Sequence, residues 1–243
     1  MILNHAWIRS HSSHILCIIV IIFTLYGLWL RFLPVHFMFD GSIPRLLFMD
    51  PWFSIRQIEQ IAMNYPSYAW FDPMTSFPQG KEIDWGPVFP FICASACVIF
   101  GAFNRPENLI IASFIPPLLF LFLIPMVWYL GKIIGDGKAG WIAAILLPIL
   151  SGELLYRSFF GYLDHHITEA LFSTLFITLV IILIHTIDGN RRILFSKNSL
   201  FLSLSTGIVY FFGIMNMPTM VLFAGIAGLI FFVYCMFNRD EER

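Results

Sequence analysis

The stretch Trp85-Gly86-Pro87-Val88-Phe89-Pro90-Phe91-Ile92-Cys93-Ala94-Ser95-Ala96-Cys97-Val98-Ile99-Phe100-Gly101-Ala102-Phe103 decides the fold. It is apolar enough to enter a bilayer, and its path sets which loops share a face. If it crosses, Asp50 and Asp164 stand on opposite sides of the membrane. If it folds back, they stand on the same side. Positive charge arbitrates, because Lys and Arg concentrate in cytoplasmic loops. With the stretch folded back, the connections at Lys132–Lys138 and Arg191–Lys197 join Arg9 and the Arg239–Arg243 tail on one side. The loop at Asp164–His166 then has only Arg157 at its edge. With the stretch crossing, the basic loops move outside and the rule is broken. Pro87 and Pro90 also weaken it as a straight span. The non-crossing reading is favoured.

Composition agrees with a membrane protein. The chain is 58% apolar and 12% charged, with a mean hydropathy of +0.80, whereas soluble domains run to about half apolar and a quarter charged. The expected fold is all-α, a polytopic transmembrane helical bundle of about six spans. At roughly 20 residues per crossing, they fall at 15–36, 109–131, 139–157, 167–187, 199–216 and 217–237. Residues 37–108 form a long first external loop and 158–166 a second. Pro116, Pro117, Pro125 and Pro148 lie within spans, where neighbouring helices satisfy the freed backbone groups. Pro218 marks the break between the last two. A net charge of −1 argues against a nucleic-acid partner. Cys17, Cys93, Cys97 and Cys235 lack metal-ligand spacing, and Cys93 with Cys97 reads as packing. The N-terminal Arg9 and three His precede the apolar run Ile15–Leu30 without a small-x-small cleavage pattern, so an uncleaved first helix is expected.

The first external loop holds a helix signal. Asp50-Pro51 reads as an N-cap acceptor followed by Pro at the first helical position. Trp52, Ile55, Ile58, Ile61, Ala62 and Tyr65 recur at helical spacing, with Arg56, Gln57, Glu59 and Gln60 opposite. That pattern is an amphipathic helix suited to the membrane interface. Trp70 and Trp85 fit the aromatic belt.

The chemistry lies in Asp50, Asp164 and His166. Two carboxylates and an imidazole suit a divalent ion such as Mg²⁺, Mn²⁺ or Zn²⁺. On a helix His165 and His166 point about 100° apart, so one of them, His166, is expected to face the ion. The plainer alternative has Asp50 and Asp164 as helix caps and the His pair solvated. Arg157 sits four residues after Glu153, a spacing for an ion pair; it is also a cation able to meet a substrate phosphate. Glu169, within a span, either faces the same cavity or bonds a neighbouring helix.

These residues resemble a known family. Met49-Asp50-Pro51-Trp52-Phe53-Ser54-Ile55-Arg56 is similar to the first acidic motif of oligosaccharyltransferase catalytic subunits. Trp70-Phe71-Asp72-Pro73 followed by Phe77-Pro78-Gln79-Gly80 resembles the family's WFD…YPxG stretch. Arg157-Ser158 leading to Gly161-Tyr162-Leu163-Asp164-His165-His166 resembles its second acidic motif in the archaeal form. The order of the blocks extends the likeness over about residues 10–190.

The resemblance implies a multi-pass cell-membrane glycosyltransferase with an extracytoplasmic active face. Such enzymes move an oligosaccharide from a dolichyl phosphate or pyrophosphate carrier to Asn in an Asn-x-Ser/Thr sequon. It implies that Asp50, Asp164 and His166 hold Mg²⁺ or Mn²⁺, with Arg157 beside them in the catalytic site. The partners implied are a lipid-linked oligosaccharide, an acceptor polypeptide and membrane lipids. The family's further spans, a further long external loop carrying another catalytic acid, and its soluble C-terminal domain with a WWDYG motif have no counterpart in residues 1–243. The chain thus reads as the N-terminal transmembrane domain, incomplete and inactive alone, with a second chain as one source of the missing part.

Three other readings compete. One is a related glycosyltransferase using a lipid-phosphate sugar with another acceptor. A transporter would line a pathway with these residues, although transporter sites lie near the midplane and here the polar residues cluster at one face. An assembly subunit would use Asp50 and Asp164 only as caps.

Overall fold

The computed structural model describes residues 5–41, 44–46, 48–187 and 196–237. The Arg239–Arg243 tail, residues 191–195 and the side chain of Arg9, all used in the charge argument, lie outside the described residues. Eleven helices follow in order among them: α1 (His5–Phe32), α2 (Val35–Met38), α3 (Met49–Met63), α4 (Val88–Ile99), α5 (Arg105–Ser113), α6 (Ile115–Ile134), α7 (Gly137–Leu146), α8 (Glu153–Tyr156), α9 (His166–Ile187), α10 (Lys197–Ile214) and α11 (Met220–Phe237). A two-stranded hairpin pairs β1 (Phe71–Asp72) with β2 (Lys81–Glu82), antiparallel. The fold is the expected all-α membrane bundle.

Among the described residues four segments are long and apolar enough to cross a membrane: Ser13–Met38, Arg105–Ile134, His166–Thr186 and Met220–Phe237. The region expected as a 139–157 span is a shorter apolar helix, Gly137–Ile149. It ends in a 3₁₀ turn at Leu147–Ile149 that contains Pro148, and Gly152 follows with φ +113°. Proline and a left-handed glycine both halt a helix. α10 occupies most of the expected 199–216 span but carries Lys197, Asn198 and several Ser and Thr.

α4 does not traverse the bundle. It has 12 residues, about 18 Å at roughly 1.5 Å per residue, against a hydrocarbon core about 30 Å thick. Phe89, Cys93 and Cys97 recur every four residues and are fully buried. They form one core with Ile55, Ile58 and Ile61 of α3 and Leu109 and Ala112 of α5. The two ends of the long loop also meet. The Gly161 amide donates to the Ser113 carbonyl at 3.3 Å, and a Cβ on Gly161 would overlap the Met38 side chain. Residues 38 and 113 therefore lie at one end of the bundle, and the segment between them returns to where it began.

Helix α3 departs from the surface picture in its polar face. Ile55, Ile58, Ile61 and Ala62 of its apolar stripe are buried while Trp52 and Tyr65 stay exposed, and Gln57 and Glu59 of the polar face are buried as well. Each is satisfied inside the loop: Gln57 Nε2 donates to the Tyr68 hydroxyl at 3.2 Å, and Arg105 grips Glu59 with two bonds of 2.7 Å. Arg56 pairs with buried Asp72, which also accepts from Thr75 at 2.6 Å. These bonds tie α3 to α5 and to the hairpin, so α3 is part of a packed subdomain.

Candidate metal centre and adjoining cavity

Asp164, His165 and His166 form the centre. One ligand atom from each lies within 4.8 Å of the others. Asp164 is 2% exposed, sits before α9, and has both carboxylate oxygens committed. Oδ1 accepts from the His165 amide at 2.7 Å and stands 2.8 Å from His165 Nδ1. Oδ2 stands 3.4 Å from His166 Nε2 and 3.4 Å from the Arg157 guanidinium. Burial raises the Asp164 carboxyl, but the His165 hydrogen bond and the charges of both imidazoles outweigh it and hold the group below its ordinary value.

Helix α9 begins at His166, so His165 precedes it in a turn. The separation of about 100° between successive helical residues does not apply to this pair, whose rings lie 4.4 Å apart. His165 therefore joins the cluster, which the helical argument missed. Asp164 does take up an amide at the helix start, though that of the next residue.

Asp50 is placed differently. α3 begins at Met49 after an extended Phe48, so Asp50 is not the N-cap but lies in the first helical turn. Pro51 is tolerated there because the first turn leaves its amides unpaired in any case. Asp50 remains favourably placed at the positive end of the helix. It is exposed and shares a cavity of about 370 Å³ with Met49, Glu153, Tyr156, Arg157 and Tyr162.

Arg157 links that cavity to the centre. Its Nε donates to Glu153 at 2.9 Å, and Nη1 donates to the Tyr162 hydroxyl and reaches Asp164. The i, i+4 pair and the contact with the acidic site are thus both present. Tyr162 has its phenol raised by burial and by the Asp164 charge, Asp50 adding a smaller push. The structure brings Asp164, His166 and Arg157 together directly; Asp50 stands outside the Asp164–His165–His166 cluster and shares its cavity with Arg157.

The donor set fits a divalent ion. One carboxylate and two imidazoles offer oxygen and nitrogen ligands. His165 Nε2 is buried without a hydrogen-bond partner among the described atoms, the state of a nitrogen whose lone pair is available for coordination.

Fold and site define a polytopic membrane protein with a carboxylate–imidazole centre at one end of its helix bundle. The chain belongs to the oligosaccharyl transferase STT3 family, whose N-terminal region matches residues 13–243. It is 35% identical over 153 residues to dolichyl-phosphooligosaccharide-protein glycotransferase 3 of Archaeoglobus fulgidus, covering 63% of this chain and 18% of that protein. It is 29% identical to the dolichyl-monophosphooligosaccharide–protein glycotransferase AglB of Haloferax volcanii, over 59% of this chain and 14% of the relative. The archaeal oligosaccharyltransferase AglB from Archaeoglobus fulgidus, solved with an inhibitory peptide and a dolichol-phosphate, superposes with a TM-score of 0.82 at 27% identity. That match covers 89% of this chain and 25% of that one. An Archaeoglobus fulgidus oligosaccharyltransferase solved with Zn and sulfate gives 0.78 at 28% identity, over 86% and 26%. The chain thus spans 14–26% of the relatives' own lengths.

Proposed function

We propose that this chain is the N-terminal membrane domain of a protein N-glycosylating oligosaccharyltransferase. The reaction transfers an oligosaccharide from a dolichyl phosphate or pyrophosphate carrier to the amide nitrogen of Asn in an Asn-x-Ser/Thr sequon. One observation carries the reading: Arg157 joins an Asp-His-His cluster with a buried carboxylate to a cavity that also presents Asp50. A relative holding dolichol-phosphate and a peptide, and another holding Zn with sulfate, support a site for a metal, a phosphate and an acceptor.

In this reading Asp50, Asp164 and His166 hold a divalent cation, Mg²⁺ or Mn²⁺, on the extracytoplasmic face, and His165 is an additional ligand candidate. The cation supplies Lewis-acid neutralisation of a leaving phosphate. The protein's own part is electrostatic. Arg157 lines the cavity, where it can meet a phosphate oxygen, while Glu153, Tyr162 and Asp164 hold it in place. Asp50 faces the same space, where a poorly nucleophilic amide needs orientation against an acceptor carboxylate.

Mn²⁺ binding to the 243-residue chain in detergent tests the site. Binding that falls in Asp50→Ala and Asp164→Ala supports it; binding that persists in both overturns it. Glycosylation of a sequon peptide from a dolichol-linked donor by a full-length relative carrying R157A at the matching position tests the role of Arg157. The expected loss is about 100-fold or more, in line with removal of one preorganised charge donor.

A further inference from the structure

We propose that Glu169 is a positioning residue for His166, and that the α10–α11 turn fixes Glu169 in that role. The inference rests on the metal reading above and extends it to the turn between α10 and α11.

His166 has one ring nitrogen on each side of a division of labour. Nε2 faces Asp164 Oδ2, while Nδ1 lies 3.1 Å from Glu169 Oε2. Glu169 is on the same face of α9, three residues on, where side chains meet. An Nδ1–H donated to Glu169 fixes the tautomer, so that the lone pair is on Nε2 and points toward the centre. Carboxylate–imidazole–metal relays have this form, and the outer carboxylate orients the ring and raises its basicity. The second oxygen of Glu169 is also engaged, because the Thr219 hydroxyl donates to Oε1.

Thr219 belongs to a turn that is anchored twice more. Asn216, fully buried, donates from Nδ2 to the His165 carbonyl at 3.2 Å, and its Oδ1 lies 2.6 Å from the buried Thr168 hydroxyl. Thr168 in turn reaches the His165 carbonyl at 2.6 Å. On the other side, Gly86 of the first external loop packs so closely on the Met215 carbonyl that a Cβ would overlap it. The turn is therefore gripped between that loop and the first turn of α9. It holds the His165 backbone and the Glu169 carboxylate at once, although 50 residues separate Thr219 from Glu169. This gives an intramembrane carboxylate, which is costly without a purpose, a definite one.

Mn²⁺ titration of the 243-residue chain in detergent, followed by electron paramagnetic resonance, tests the proposal. Glu169→Ala is expected to weaken binding by about 10- to 100-fold, the usual cost of losing an outer-shell partner, and to diminish the imidazole ¹⁴N modulation of bound Mn²⁺. Glu169→Gln keeps an acceptor for Nδ1–H and restores most of the affinity and the modulation. Thr219→Val lowers affinity by less, since Glu169 remains. In a His166→Ala background, Glu169→Ala should add nothing, because residues acting as one unit are non-additive. Affinity within twofold of wild type in Glu169→Ala, with binding lost in Asp164→Ala, overturns this proposal and leaves the metal site standing. An equal further loss in the His166→Ala background also overturns it. Absence of Mn²⁺ binding by the wild-type chain overturns both readings.

Discussion

The Gly161 amide donates to the Ser113 carbonyl at 3.3 Å, and this bond closes the segment that runs from Met38 to Ser113. Ser113 ends α5, and Gly161 lies three residues before Asp164. The segment that starts after Met38 is thus stitched to the one that carries Asp164, and both acidic motifs lie at one end of the bundle.

That closure predicts a labelling pattern. Phe77 and Tyr156 are both well exposed, Phe77 in the segment between Met38 and Ser113 and Tyr156 at the end of α8, and Lys138 lies in the first turn of α7, past the far end of α6. With the four native cysteines replaced, single cysteines at 77 and 156 should react with an impermeant maleimide from one face of sealed vesicles. A cysteine at 138 should react only from the other face. Labelling of 77 and 156 from opposite faces would sink the arrangement.

Gly161 is required twice over. Its φ is +81°, a region costly to residues with a Cβ, and the added carbon would collide with Met38. Gly161→Ala should cost about 1–3 kcal/mol, read as a lower melting temperature in detergent, and should weaken Mn²⁺ binding through displacement of Asp164. Adding Met38→Ala relieves the collision but not the dihedral strain, so recovery should be partial. Full recovery would show that the dihedral carries no cost.

Arg31 is fully buried in α1 and has no carboxylate partner among the described residues. Its Nε donates to Ser158 Oγ at 2.8 Å and Nη1 to the Gly27 and Pro148 carbonyls at 2.8 and 2.9 Å. The guanidinium also stacks on Phe120, and the Arg31 carbonyl accepts from the Phe160 amide at 2.9 Å. Arg31→Ala leaves a cavity and unpaired carbonyls, for a loss of about 3 kcal/mol. Lysine should rescue little, since one ammonium cannot reproduce the fork. A denaturation midpoint in Arg31→Lys equal to wild type would refute this account.

Tyr68 supplies a pH signature. Burial pushes its phenol up to about 12, against a smaller lowering by the Gln57 bond. A phenol raised in the folded state favours folding below its unfolded value near 10, and that contribution is lost as pH rises through about 12. Thermal stability should therefore fall between pH 10 and 12, and Tyr68→Phe should flatten that fall. An identical alkaline decline in both proteins would remove Tyr68 as its source.

Hydrophobic content and periodicity made the membrane bundle readable, because a hydrocarbon solvent demands long apolar helices. Charge asymmetry and Pro87 with Pro90 were the signals for a folded-back Trp85–Phe103 stretch, whose helix α4 has 12 residues, and the motif order pointed to the family. These signals are local or additive along the chain. The participation of His165, the place of Asp50 inside the first turn of α3, the burial of Gln57 and Glu59, and the hold of Thr219 on Glu169 were not readable. Each depends on where a helix starts or on which distant segment supplies a partner. Asn216 and Thr219 look like ordinary polar residues at a turn, and only packing against α9 and Gly86 makes them neighbours of the acidic centre. Residue type determined what chemistry was available to this protein; long-range contacts decided which atoms share it, since hydrogen bonds and coordination act over a few ångströms and carry no trace in linear spacing.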